Sequence, residues 1–250
     1  GASKLKIQGG GSFVNTGTTP IKLDNAGSGL VLDNVTVNYV SATAASSQGI
    51  LEASNDSTVN NLSLDDKLRL SVASGGTLTV TKPLTVPAQG IELSGAGTLK
   101  LNDSLTLNGN AALASGSLTV DAKGLLVNFG GDLNLSGGTL LTDENTNFHL
   151  LSNSTLTTNA EQVISNVTIP QGQQPMLTLS GSNTKLKVVQ TIALNVPCPA
   201  SLPVQPKAQL RLPGGVSINT GGELCIDGWL EGDIVLDGGT LQIVGDTSIS

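Results

Sequence analysis

The sequence is short of the residues on which most chemistry and most recognition rely. Its 250 residues include three Phe, one Tyr, one Trp, one Met, one His and two Cys, and only 12% are charged. That charged fraction is about half the ~25% of an ordinary domain. Five aromatics provide no platform for stacking bases, and a net charge of −7 without a basic cluster repels phosphate backbones, so nucleic acid is set aside as a partner. Apolar runs such as Gly29-Leu30-Val31-Leu32 stop far short of the ~18 residues that span a bilayer, and no basic-then-apolar signal segment opens the chain. No transmembrane segment is expected. Cys198 and Cys225 are too few for a disulfide scaffold and lack the paired spacing of a zinc site. A single Cys198–Cys225 bridge, suited to an oxidising compartment, and two buried free thiols stand as even alternatives.

What the chain does have is small polar and aliphatic residues. Ser, Thr and Asn number 71, Gly numbers 31, and 38% of the residues are hydrophobic. Disorder combines low hydrophobicity with high charge, and this chain shows the reverse, so it folds. Its acidity is C-terminal. Up to Arg211 acids and bases nearly balance, whereas Glu223, Asp227, Glu231, Asp233, Asp237 and Asp246 follow with no Lys or Arg.

A short phrase recurs along the chain. It reads Gly75-Gly76-Thr77-Leu78-Thr79-Val80, then Gly95-Ala96-Gly97-Thr98-Leu99-Lys100-Leu101, Gly116-Ser117-Leu118-Thr119-Val120, Gly130-Gly131-Asp132-Leu133-Asn134-Leu135 and Gly137-Gly138-Thr139-Leu140-Leu141. Gly221-Gly222-Glu223-Leu224-Cys225-Ile226 and Gly238-Gly239-Thr240-Leu241-Gln242-Ile243 repeat it near the end. From Leu78 to Leu99, Leu118 and Leu140 the steps are 21, 19 and 22 residues, a drifting period near twenty that marks a solenoid. A second phrase, as in Leu32-Asp33-Asn34-Val35-Thr36-Val37, Val59-Asn60-Asn61-Leu62-Ser63-Leu64 and Ile164-Ser165-Asn166-Val167-Thr168-Ile169, sits at other phases. Both alternate apolar with small polar residues, which is the strand period of two, and no stretch carries the three-and-four spacing of a helix.

These phrases resemble the rungs of the right-handed parallel β-helix, the pectin-lyase-like fold of polysaccharide lyases, phage tailspikes and the passenger regions of autotransporter and haemagglutinin-type adhesins. The resemblance covers roughly Val14 to Val244. It implies an all-β chain with rungs of about 20 residues, in which each rung buries Leu, Val and Ile against the next because one rung alone cannot hide its apolar side. One domain over 1–250 is expected. Half of the prolines fall in 196–213, read as a loop or rung junction because proline cannot donate to an interior ladder. The alternative is a linker between two lobes. The start at Gly1-Ala2-Ser3 and the open-looking rung Leu241-Gln242-Ile243-Val244 are read as signs of a piece of a longer chain.

Candidate chemistry is sparse. Hydrolysis of a polysaccharide needs paired carboxylates on one groove, and the acids that would serve are Asp65 and Asp66, beside Lys67 and Arg69, and Asp143 and Glu144, near His149. Neither cluster forms a diagnostic motif: Asp65-Asp66-Lys67 reads more simply as a solvated turn between strands, and His149, flanked by Phe148 and Leu150, as a structural imidazole. Asp227, Glu231, Asp233 and Asp237 are weak calcium candidates, since carboxylates are that ion's preferred ligands, but a Gly-Gly-x-Gly-x-Asp repeat is absent. No other cofactor is expected. Threonine pairs such as Thr77-x-Thr79 are similar to the outward rows of ice-binding solenoids. With Thr98 and Lys100, Thr119 alone, and Asp132 with Asn134 as equivalents, that row reads as broken.

The resemblance therefore implies a segment of an extracellular bacterial surface protein, an elongated stalk or adhesin without catalysis. Its partner would be a surface glycan, a protein or other copies of itself, met through a polar, shallow face. A carbohydrate-active enzyme is the runner-up. A self-assembling filament is the third reading, by end-to-end stacking of the open-looking end rungs; the phrase Leu230-Glu231-Gly232-Asp233-Ile234-Val235, which occurs once, is similar to rungs of the bactofilins, which polymerise end to end.

Overall fold

The structure, a computed structural model, describes residues 4–13, 19–23, 28–42, 49–65, 67–152, 154–158, 161–164, 166–168, 177–180, 185–188, 192–193, 208–219, 223–226, 228–237, 240–243 and 248–249. Side-chain surroundings are described up to residue 163, with 114, 115 and 161 excepted. Every regular element among the described residues is a strand.

In chain order the strands begin with β1 (Lys4–Phe13), β2 (Ile21–Leu23), β3 (Gly29–Ala42), β4 (Gly49–Ala53), β5 (Ser57–Leu64), β6 (Leu68–Val72) and β7 (Thr77–Val80). There follow β8 (Leu84–Val86), β9 (Ile91–Gly95), β10 (Thr98–Leu101), β11 (Leu105–Leu107), β12 (Ala111–Gly116), β13 (Leu118–Asp121) and β14 (Leu126–Phe129). Next come β15 (Leu133–Asn134), β16 (Gly138–Leu141), β17 (Asn147–Leu150), β18 (Ser154–Thr157), β19 (Glu161–Ile164), β20 (Asn166–Thr168) and β21 (Leu177–Ser180). The last are β22 (Lys185–Val188), β23 (Ile192–Ala193), β24 (Ala208–Asn219), β25 (Glu223–Ile226), β26 (Gly228–Asp237), β27 (Thr240–Ile243) and β28 (Ser248–Ile249). The chain divides into two compact units, one of residues 1–122 with 134–141 and the other of residues 123–133 with 142–250.

Unit 1 is a β-solenoid of parallel stacked coils about 21 residues apart. In its regular part each coil contributes three strands, as in β6-β7-β8 and β9-β10-β11. Like stacks on like: β6 on β9, β7 on β10 and β8 on β11, all parallel. The first sheet continues through β4 and the first half of β3 to β1. The second runs from β16 through β13, β10, β7 and β5 to the second half of β3. β3 thus serves two sheets and must bend between them. The bend falls at Asn34, whose φ of 54° is left-handed, a conformation that Asn tolerates better than most residues.

Alternation explains which side chains are inside. In β7 and β10 every second residue is buried, as are Val35 and Val37 of β3 and Ser57 and Val59 of β5, so Val37, Val59, Val80 and Leu101 form one inner row and Leu78 and Leu99 another. Each such side chain contributes about 1.5–3 kcal/mol by leaving water. The coil also closes tightly at two glycines. Gly95 and Gly116 are opposite each other in β9 and β12, both with positive φ (103° and 93°), and a Cβ on either would strike a backbone carbonyl of the coil before it. β1 differs from the coils it covers: Leu5 and Phe13 are 56% and 45% exposed, while Leu30 and Val37, opposite them in β3, are fully buried.

Unit 2 is built by the same rule. β14, β17 and β20 pair in parallel, as do β18 with β21, and β19, β22, β24, β26 and β28 in turn. Phe129 and Phe148 pack with ring centroids 4.9 Å apart on neighbouring strands. The strands that follow the two late Gly-Gly pairs, β25 and β27, pair in parallel with Leu224 opposite Leu241. β24 takes in Ala208–Pro213 of the proline-rich stretch. Pro213 sits where the pairing of β24 with β26 slips between Leu212 and Val216, a place where no ladder donor is required. Residues 196–207 lie outside the described residues.

Candidate binding groove

On the outward side of unit 1's second sheet, register brings hydroxyl side chains into rows. Ser12 lies opposite Thr36, Thr36 opposite Thr58, and Thr58 opposite Thr79, so four successive strands contribute one row. Two residues earlier along the strand, Thr77, Thr98, Thr119 and Thr139 form another. The threonine row is therefore longer than the repeated phrase indicates. Thr119 is not alone, because its neighbour is Thr139, whereas Asp132 and Asn134 belong to a different position of the coil. Alignment of the phrases on Gly and Leu places Leu118 beneath Leu99, whereas the strand pairing places Val120 there. The resulting steps lose most of their drift.

The upper part of these rows is concave. Gly10, Gly11 and Ser12 of β1, Thr36 of β3, Thr58 of β5, Thr77 and Thr79 of β7 and Thr98 of β10 line a groove of about 760 Å³, with Asn34, Asp56 and Lys100 completing its polar wall. Glycine on β1 leaves the room: there is nothing within 4 Å of where a Cβ of Gly11 would stand. The threonines are half-buried, while Asn34, Asp56 and Lys100 are exposed. Asp56 Oδ1 accepts from the Thr77 backbone N–H at 2.8 Å, tying one coil to the next.

Elsewhere on the outside, similar residues bond to each other. Asn60 Nδ2 donates to Asn38 Oδ1 at 2.9 Å, and Thr81 Oγ1 donates to the Asn60 carbonyl at 2.9 Å. Asn55 Nδ2 donates to Asp33 Oδ1 at 2.7 Å, and the Lys6 ammonium stands 2.8 Å from the same carboxylate. The Lys6 hydrogen bond, then that of Asn55, holds the Asp33 carboxyl below its ordinary pKa. Glu92 accepts from both Lys67 and Arg69.

The acids marked as catalytic candidates have other surroundings. Asp65 is exposed at the end of β5's coil, where its N–H donates to the Ala42 carbonyl, and Asp66 lies outside the described residues. In unit 2, Asp143 Oδ1 accepts from the N–H groups of Gly124 (3.0 Å) and Asn145 (2.9 Å) and from the Thr146 hydroxyl (3.1 Å). Partial desolvation works to raise its pKa, but these bonds together lower it below the usual value. A carboxylate held in that way staples a turn and is a poor proton donor. Glu144 next to it is exposed, and His149 is half-buried in β17, opposite Asn128 and Thr168. Of the calcium candidates, Glu231, Asp233 and Asp237 fall on β26, with Glu231 opposite Arg211 and Asp237 opposite Asn219. Asp227 and Cys198 lie outside the described residues, and Cys225 is opposite Gln242.

The groove was legible only in part. Thr77, Thr79 and Thr98 stand out in the repeated phrase, but Ser12, Thr36 and Thr58 come from differently worded strands. Their common signal is a hydroxyl recurring about every 21 residues. No helix among the described residues is long and apolar enough to cross a membrane. No family model, curated protein or solved structure matches this chain.

Proposed function

We propose that this chain is a non-catalytic segment of an extracellular bacterial surface protein, a right-handed, pectin-lyase-like β-helix that serves as a stalk or adhesin scaffold and presents an outward polar face to a surface glycan or protein. The observation that carries the reading is the pair of outward hydroxyl rows maintained over successive coils, where an ordinary solvated surface would be charged and irregular. Commitment of the Asp143 carboxylate to three turn hydrogen bonds supports the absence of catalysis. The test is incubation of the purified chain with a panel of bacterial and host polysaccharides, measuring protein depletion and product mass in the same samples. Unshortened glycans are the expected result. Cleavage that disappears in Asp65→Asn or Glu144→Gln would make the chain a depolymerase and overturn the proposal.

A second reading, self-assembly, is favoured by the exposed Leu5 and Phe13 on β1. Sedimentation that rises with concentration and is abolished by Leu5→Lys with Phe13→Lys would establish it.

A further inference from the structure

We infer that the groove of unit 1 binds an uncharged, extended polysaccharide chain lying across the strands. This rests on the scaffold reading above and adds its ligand class and its site.

Hydrogen-bonding capacity is the first ground. A threonine hydroxyl offers one donor and two acceptor positions, the same set that a sugar hydroxyl offers in return. Among the described residues, the hydroxyls of Thr36, Thr58, Thr77, Thr79 and Thr98 take part in no side-chain hydrogen bond, although all five are half-buried. Two residues along the same strand from Thr58, Asn60 is engaged on both sides by Asn38 and Thr81. The contrast marks the groove hydroxyls as capacity the fold itself does not consume.

Charge is the second. The lining holds one acid, Asp56, and one base, Lys100, and Asp56 already accepts a backbone N–H. A polyanion or a polycation would bring many like charges to a wall that compensates only one, whereas a neutral chain meets no such cost.

Periodicity is the third. Stacked strands repeat every ~4.8 Å, so equivalent donors recur at that spacing along the groove. A polymer with hydroxyls at a regular interval can engage several coils at once, while a compact ligand reaches only one or two. A flat crystalline surface such as ice needs two complete rows side by side. Here only β7 supplies both threonines, and Lys100, Asp121 and Leu141 replace threonine where the first row continues. With no aromatic in the lining, stacking adds nothing, and affinity must accumulate over several sugars.

The test is affinity electrophoresis and calorimetry of the whole chain with soluble neutral glucans, mannans and xylans, graded from disaccharide to polymer, and with polygalacturonate and heparin as charged probes. A neutral polymer should bind, its disaccharide should not, and the charged polymers should not. The triple variant Thr36→Val, Thr58→Val and Thr79→Val keeps the β-branched shape and should lose about tenfold or more in affinity with its thermal midpoint unchanged. Thr155→Val with Thr157→Val, on β18, should bind as the parent does. Binding of none of the neutral polymers, preference for a charged polymer, or equal binding by the triple variant would overturn the inference. Each of these leaves the scaffold reading standing, which only shortened glycans would remove.

Discussion

Thr58 and Asn60 sit two residues apart on one strand, both half-buried and both facing outward, yet they do different work. Asn60 belongs to a ladder in which amide and hydroxyl groups of three successive coils bond to each other. Thr58 belongs to a row in which, among the described residues, the hydroxyls of Thr36, Thr58 and Thr79 take part in no hydrogen bond. The ladder satisfies itself and locks coil to coil, whereas the row leaves its donors and acceptors turned to whatever occupies the groove. A surface made of the same few residue types can therefore be structural in one lane and available in the next, and hydrogen-bond accounting, not composition, separates the two.

Substitutions can break or sharpen this comparison. The inside of the coil sets the upper end of the scale: Leu70→Ala, at a fully buried position of β6, should cost about 2–5 kcal/mol in urea unfolding, far more than any outward change. Gly95→Ala comes next, since its left-handed φ and the carbonyl of Val72 leave no place for a methyl group, and a loss of about 1–3 kcal/mol is expected. The comparison itself is tested by Asn60→Ala against Thr58→Val. The first should lower stability by about 1 kcal/mol and the second by less than ~0.5 kcal/mol, and equal losses would erase the distinction between ladder and row.

Acidification should have the smallest and most diffuse effect. Asp33 and Asp143 have lowered pKa values in the folded chain, so their stabilisation is complete above the unfolded carboxylate value of ~3.9 and is lost as pH falls through the lower folded value. The unfolding midpoint should decline below about pH 4, and Asp143→Asn should flatten part of that decline.

Much of the fold could be read from the residues, because alternation of Leu and Val with Ser, Thr and Asn fixes which side faces inward, whatever the neighbours do. Register could not. The phrase Gly116-Ser117-Leu118-Thr119 invites alignment on its glycine with Gly97-Thr98-Leu99, but Leu118 is displaced by two and its partner is Gly138, at which a Cβ would collide with Leu113 and the Leu118 carbonyl. That packing requirement involves residues distant in sequence and leaves no local mark. The groove was hidden for the same reason: its members come from strands with different wording, and only pairing collects them. The carboxylates drew notice because chemistry favours them, yet Asp143 proved to be bound up in a turn.

The register can be tested directly by cross-linking in a background with Cys198→Ser and Cys225→Ser. Strand neighbours in this sheet lie ~4.8 Å apart, inside the window a disulfide can bridge, while positions offset by two residues exceed its ~7 Å limit. Under mild oxidation Thr98→Cys with Thr119→Cys should form an intramolecular disulfide, and Thr98→Cys with Ser117→Cys should remain reduced. The opposite result would contradict the continuous row of Thr77, Thr98, Thr119 and Thr139 on the outer face of unit 1.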